Sequence, residues 1–168
     1  AEIKGCTVSG VLQPTPSETG EITMNPDNPA QAVFTNRLKT TAFSVEKWVA
    51  GNMGDRDQEF HFRARLYTGA PGNGGTFTAF PEPETGDGYI LEEGEAHFRL
   101  RHGKALRLDD VPIGAWVVVT EEAEADYTTL WRQGEKTGEG RTAKVGPLTV
   151  PEQITYTNTR EVLIDTGI

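Results

Sequence analysis

The chain has 168 residues, enough for one large β domain or for one domain and part of another. A net charge of −9 leaves no basic face for a nucleic-acid backbone, and the single cysteine, Cys6, excludes an intramolecular disulfide framework. Only 36% of residues are hydrophobic, beside 19 Gly and 10 Pro, which points to short strands and turns over long helices, and no apolar run reaches the length of a membrane span.

The first residues carry no signal-peptide pattern, as expected of a mature or trimmed chain. Cys6-Thr7-Val8 and Glu21-Ile22-Thr23-Met24 read as β, separated by Pro/Ser/Gly-rich punctuation. Asn25–Pro29 is too rich in breakers for regular structure. A short strand is predicted at Ala32–Asn36, with Arg37–Thr41 as a linker. Phe43–Val49 alternates, as does Phe60–Leu66, where Phe60, Phe62, Ala64 and Leu66 share a face. Val49–Gln58 leaves room for a turn of helix, but no window has helical periodicity. Residues 67–95 form a long Gly/Pro/acid-rich surface excursion with one short strand at Thr76–Phe80. Further strands are predicted at Ala96–Leu100, Ala105–Leu108, Ala115–Glu121, Tyr127–Arg132, Thr142–Val150 and Gln153–Thr159, with turns at His102-Gly103 and Val111–Gly114. The fold class is all-β, an immunoglobulin-like sandwich of short antiparallel strands.

An internal repeat organises the chain. Val33-Phe34-Thr35-Asn36-Arg37 matches Thr155-Tyr156-Thr157-Asn158-Thr159-Arg160, with an aromatic two residues before each asparagine. The asparagines lie 122 residues apart (158 − 36), a domain-sized period. Thr19-Gly20-Glu21 corresponds to Thr137-Gly138-Glu139, and Cys6-Thr7-Val8 loosely to Tyr127-Thr128-Thr129. Residues 1–38 thus read as the closing strands of one domain, 39–161 as a complete copy, and 162–168 as a tail.

Three polar side chains fall on core-facing positions of this pattern. Lys47 is in line with Phe43, Val45 and Val49; Asn158 with Ile154 and Tyr156; Glu121 with Ala115, Val117 and Val119. On a fraying strand end such residues are ordinarily solvated, and a lysine can carry its head to water. Held inside, they do something else. Burial lowers an amine's pKa and raises a carboxyl's. A neutral amine is a nucleophile, and a protonated carboxyl can polarise an amide oxygen and relay protons. If the first and last strands are neighbours, Lys47 Nζ meets Asn158 Cγ, and the product is an amide with loss of ammonia, without any cofactor. Closing about 100 residues in this way is worth roughly 4–5 kcal/mol by analogy with a disulfide.

Phe43–Asp55 (FSVEKWVAGNMGD) with Glu59-Phe60-His61-Phe62, then Phe98–Leu108 (FRLRHGKALRL) with Val111–Glu122 (VPIGAWVVVTEE), then Ile154–Glu161 (ITYTNTRE), resemble in order the opening, middle and closing strands of the pilin isopeptide-linkage domains of Gram-positive surface proteins, relatives of the collagen-adhesin B-type (Cna-B-like) domains. The resemblance covers about residues 42–161. It implies a sandwich with an autocatalytic isopeptide bond in which Lys47 is the amine, Asn158 the acceptor and Glu121 the assisting acid, with Glu122 taking that place if the register slips by one. Trp116 stands where the family usually has another aromatic. Asn36 would be the bonding asparagine of the preceding domain. Leu163–Ile168 (LIDTGI) resembles a variant sortase motif without its proline, with Thr166 as the residue joined to an amine. The implied role is a cell-wall or pilus structural module, extracellular, not an enzyme beyond one self-crosslinking turnover. Its partners would be neighbouring domains or pilin subunits, a sortase and possible host ligands. The alternative is an adhesin module using the 67–95 loops on a host protein or glycan.

Other features carry less. His61, His97 and His102 lack metal-ligand spacing, and His61 and His97 fall on outward positions. Asp55–Glu59 lacks the ligand ladder of a calcium loop. Gly69–Gly75 is no phosphate cradle, and Cys6 has no base beside it.

Overall fold

The computed structural model describes residues 2–8, 11–12, 32–83 and 88–162. The chain divides into two units, Ala1–Lys39 and Thr40–Ile168. In the first, β1 (Glu2–Val8), β2 (Val11–Leu12) and β3 (Ala32–Arg37) form an antiparallel sheet of order β2-β1-β3. The predicted strand at Glu21–Met24 and the tail with Thr166 lie outside the described residues.

The second unit contains β4 (Thr40–Ala50), β5 (Phe60–Tyr67), β6 (Phe77–Thr78), β7 (Ile90–Glu92), β8 (Glu95–Leu100), β9 (Ala105–Pro112), β10 (Trp116–Glu121), β11 (Thr128–Gln133), β12 (Lys136–Glu139), β13 (Thr142–Val145) and β14 (Glu152–Thr159). They make two sheets, β13-β10-β5-β8-β7 with β6 on β5, and β12-β11-β14-β4-β9. The all-β sandwich expected from the alternation is present. Inward residues of both sheets form one core, in which Phe62 stacks on Phe98 at 5.5 Å and meets Tyr156 edge-on at 5.2 Å.

One pairing departs from the antiparallel expectation. The last strand, β14, lies parallel to the first, β4, with Tyr156 opposite Lys47 and Asn158 opposite Val49. The predicted long strand Thr142–Val150 is the reason. It stops at Val145, and residues 146–151 carry the chain from one sheet to the other, where it re-enters beside β4 in the same direction. Pro147 and Pro151 lack the N–H a ladder needs. Leu148, buried in this crossover, is held by the bonds Leu148 N to Ala115 O and Gly114 N to Leu148 O.

Other boundaries also shift. The linker predicted at Arg37–Thr41 shrinks to Leu38 and Lys39. The turn predicted at Val111–Gly114 starts later, because β9 runs on to Pro112 through a bulge opposite Thr41 and Phe43, where Asp110 has φ 59°. The edge strands β7 and β12 carried no alternation to predict them. The 67–95 excursion is not wholly superficial: Phe80 and Tyr89 are buried in the core. Val49–Gln58 contains turns instead of helix, with Gly54 N bonded to Gly51 O and Gln58 N to Asp55 O.

The two units share a strand order. In the second unit β12-β11-β14 has the same order as β2-β1-β3. The hairpin pair Val8↔Val11 matches Gln133↔Lys136, and Asn36 faces Ile3 as Asn158 faces Thr129. Five positions separate Ile3 from Val8 (8 − 3) but four separate Thr129 from Gln133 (133 − 129), and the register shift between Ile3 and Gly5 absorbs the extra residue. Cys6-Thr7-Val8 therefore corresponds to Trp131-Arg132-Gln133, a correction to the looser sequence match.

At the exit of β14 the backbone is strapped by the loop after β4. Asn52 bonds both the N–H and the C=O of Val162, and Met53 N bonds Arg160 O. Gly51 makes this possible: its φ is 90°, and a Cβ there would lie 2.2 Å from Arg160 O. Gly51→Ala is expected to lower stability by about 1–3 kcal/mol in denaturant unfolding; an unchanged midpoint would show that this close approach is not required.

Candidate functional site

Among the described residues the buried polar or charged side chains are Lys47, Glu121 and Asn158, each 0% exposed. Alternation places all three: Lys47 and Asn158 project from adjacent β4 and β14, and Glu121 ends β10 in the opposite sheet, across from Phe62. The parallel register makes Lys47 and Asn158 diagonal neighbours on one face. Glu121 joins them. Its Oε2 lies 2.6 Å from Lys47 Nζ, and its Oε1 accepts from Asn158 Nδ2 at 2.5 Å. Asn158 Oδ1 is buried without a hydrogen-bond partner.

The surroundings are apolar and fixed. Lys47 Nζ sits 4.1 Å from the Phe60 ring centre and 5.8 Å from that of Phe62. Burial pulls the Lys47 pKa down to about 8, and Glu121's charge and hydrogen bond restore only part of the loss. Tyr156, directly opposite Lys47, donates to Val119 O at 2.9 Å and Arg141 O at 3.1 Å. Burial, then Glu121's charge, pushes the Tyr156 hydroxyl above its ordinary pKa, so it stays a donor. Arg141 holds the Glu121 backbone from both sides: Glu121 N donates to Arg141 O, and Arg141 Nη1 donates to Glu121 O at 3.3 Å. A fully buried ion pair contributes little to stability by itself. Its burial beside an amide carbon and an unpartnered carbonyl makes it a candidate for chemistry.

The three residues singled out in the sequence are thus brought together. Glu122 is not: it is 63% exposed and lies 3.4 Å from His61. Asn36 is exposed on β3. His61, His97 and His102 are dispersed, beside Glu122, beside Glu92, and accepting from Val49 N, respectively. Asp55 and Asp57 close a local turn, and Glu59 pairs with Arg99 and Arg101. No group of three or more metal-ligating side chains occurs among the described residues. Phe60 and Tyr156 were legible as inward residues, but their places beneath Nζ and beside the Glu121 carboxyl depend on how the sheets align.

The chain is 28% identical over 153 residues to a pilin of Streptococcus pyogenes serotype M1, covering 80% of this chain and 44% of that protein. It is 23% identical over 129 residues to the pilus tip adhesin Cpa of Streptococcus pyogenes, covering 77% of this chain and 18% of that protein. The chain therefore spans less than half the length of these relatives. Among solved structures, the fold is similar to the Streptococcus pyogenes major pilin, with TM-score 0.53 and 23% identity over 79% of this chain and 53% of that one. Residues 41–160 match the family described as "Domain of unknown function (DUF7601)". The chain belongs to that family, and its sandwich is the fold of Gram-positive pilin domains.

Proposed function

We infer that this chain is a structural module of a Gram-positive surface protein or pilus, stabilised by an isopeptide bond that Lys47 and Asn158 form with Glu121's help. The observation that carries the inference is the Glu121 carboxylate, which bridges the lysine amine and the asparagine amide in a site with no solvent exposure. The likeness to a pilin and to a pilus tip adhesin supports the setting: extracellular, among other subunits. In that setting Thr166 is the residue a sortase would join to an amine. The shaft role is favoured over an adhesin role for the 67–95 loops, because Phe80 and Tyr89 of that segment serve the core.

The chemistry follows from the contacts. A proton passes from Lys47 Nζ to Glu121 Oε2 along their 2.6 Å hydrogen bond, giving a neutral amine and a neutral acid. Turning the Asn158 amide over brings Oδ1 to the Glu121 contact, where 2.5 Å suits an O–H···O bond better than N–H···O. The protonated carboxyl then polarises the carbonyl while Nζ attacks Cγ. The Nζ–Cγ bond forms, the Cγ–Nδ2 bond breaks, and Nδ2 leaves as ammonia with the proton that Glu121 relays. Fixed partners replace solvent throughout, so placement does most of the work.

The intact purified protein is expected to weigh one ammonia less than its sequence, and Asn158→Ala to have its full sequence mass and lose about 4–5 kcal/mol of stability. A full-mass wild type would sink the reaction. Glu121→Ala should likewise leave the chain unlinked, whereas Glu122→Ala should crosslink completely; the reverse pattern would move the acid by one position.

A pH experiment tests the amine. In Asn158→Ala protein Lys47 keeps a free amine whose folded pKa, about 8, is below the ordinary lysine value of 10.5. Between those values the unfolded state binds more protons, so stability from this group rises with pH across the window and is lowest below it. Adding Lys47→Met should abolish that rise. A difference between the two proteins that stays flat or falls from pH 8 to 10 would contradict a desolvated amine.

A further inference from the structure

We propose that Asn73 is a self-modifying residue, converted in the folded protein to aspartate and isoaspartate when the Gly74 backbone nitrogen attacks its carboxamide. The site is the tip of the loop between β5 and β6, and it is independent of the Lys47–Asn158 reading. A rigid frame with one free link at its tip carries the inference.

The frame is held from several sides. Thr68 N donates to Thr76 O at 2.9 Å, and the two threonine hydroxyls lie 2.7 Å apart. Gly75 passes so close to the incoming chain that a Cβ on it would stand 2.1 Å from Gly69 O. Ala70–Asn73 is a type II turn with Pro71 and Gly72 at its centre, φ 79° at Gly72, and Asn73 N donating to Ala70 O at 3.1 Å. Gly75 N donates to the same carbonyl at 3.0 Å.

Between those two bonds one peptide link is left over. Among the described residues the Gly74 N–H has no hydrogen-bond partner. Gly74 has φ 86°, and a Cβ on Gly72 or Gly74 would meet nothing within 4 Å. Asn73 itself is exposed. Without a Cβ, Gly74 can turn its nitrogen onto the preceding side chain, and the open space admits the five-membered ring that results. The other asparagines lack this combination. Asn25 and Asn28 precede proline, which has no N–H to lose, and Asn36 and Asn158 lie within β3 and β14. Asn52 is committed at both ends to Val162.

The Gly74 N–Cγ bond forms and the Cγ–Nδ2 bond breaks, and Nδ2 leaves as ammonia with the Gly74 amide proton. Water then opens the cyclic imide. Opening at the side-chain carbonyl gives aspartate; opening at the main-chain carbonyl gives isoaspartate, with Cβ now part of the main chain. Each product adds a negative charge. The second also lengthens the span between the two bonds to Ala70 O, so the loop tip changes in shape and charge as the protein ages.

The test holds folded protein in neutral and in mildly alkaline buffer, beside a synthetic peptide spanning Tyr67–Phe77. Protein samples are digested with trypsin at mildly acidic pH, and the Leu66–Arg99 peptide is followed by mass spectrometry with fragmentation that separates the two isomers. The expected result is a gain equal to the exchange of NH for O at Asn73, through a species one ammonia lighter, in protein and peptide alike. The change is faster at the higher pH and yields both isomers, while the peptide containing Asn52 stays unmodified. Gly74→Ala is expected to slow it in both. An Asn73 that persists in the folded protein while the synthetic peptide reacts overturns the inference, because the turn then protects the link. Equal reaction at Asn52, or a Gly74→Ala protein that reacts as fast as the wild type, overturns it too. The Lys47–Asn158 link is read from other peptides of the same digest, so its presence or absence leaves this result unchanged.

Discussion

An ammonium and a carboxylate with no access to water set the terms for the rest of this fold. Lys47 and Glu121 are both completely buried, and each has the other at 2.6 Å as its principal compensation. Such a pair is tolerated only where every neighbour is fixed, because a small displacement would leave an isolated charge in an apolar interior. Much of the nearby structure serves that requirement. Phe60 lies against the amine, Arg141 holds the Glu121 backbone on both sides, and Tyr156 is tethered to two carbonyls of the opposite sheet. The core is therefore organised around a polar cluster, with the aromatics as its walls.

Conversion of the pair to an amide would relieve the same tension. The amide has no formal charge to desolvate, and its N–H and C=O match the two oxygens of a protonated Glu121 as acceptor and donor. The unpartnered Asn158 Oδ1 marks where the unlinked arrangement is least satisfied. In the proposed reaction stability and reactivity would share one origin: the site would be unfavourable as separate residues and favourable as one bond.

Period-two alternation was enough to find the cluster, because Lys47, Glu121 and Asn158 interrupt apolar faces that were otherwise regular. It could not reveal that β14 runs parallel to β4, since the side-chain period is the same in either direction; the crossover through Pro147 and Leu148 decided that. β7 and β12 were illegible for a different reason. Short edge strands bury little on either face and so carry no pattern. Phe80 and Tyr89 reach the core from irregular backbone, which has no period to read. The position of Phe60 under the amine depends on alignment between two sheets, a property of the packed molecule and not of any one segment.

The parallel pairing of β4 and β14 has a mechanical consequence. Chain enters β4 at Thr40 and leaves β14 at Thr159, at opposite ends of the strand pair. Tension applied through the two ends shears the strands along one another, so their ladder bonds are loaded together and not peeled one at a time. If Lys47 were joined to Asn158 as proposed, force would run up β4 as far as residue 47, cross the side-chain bond and continue from residue 158. Everything between Trp48 and Thr157, including both sheets' inner strands, would then lie off the loaded path, and the module would transmit pull without lengthening.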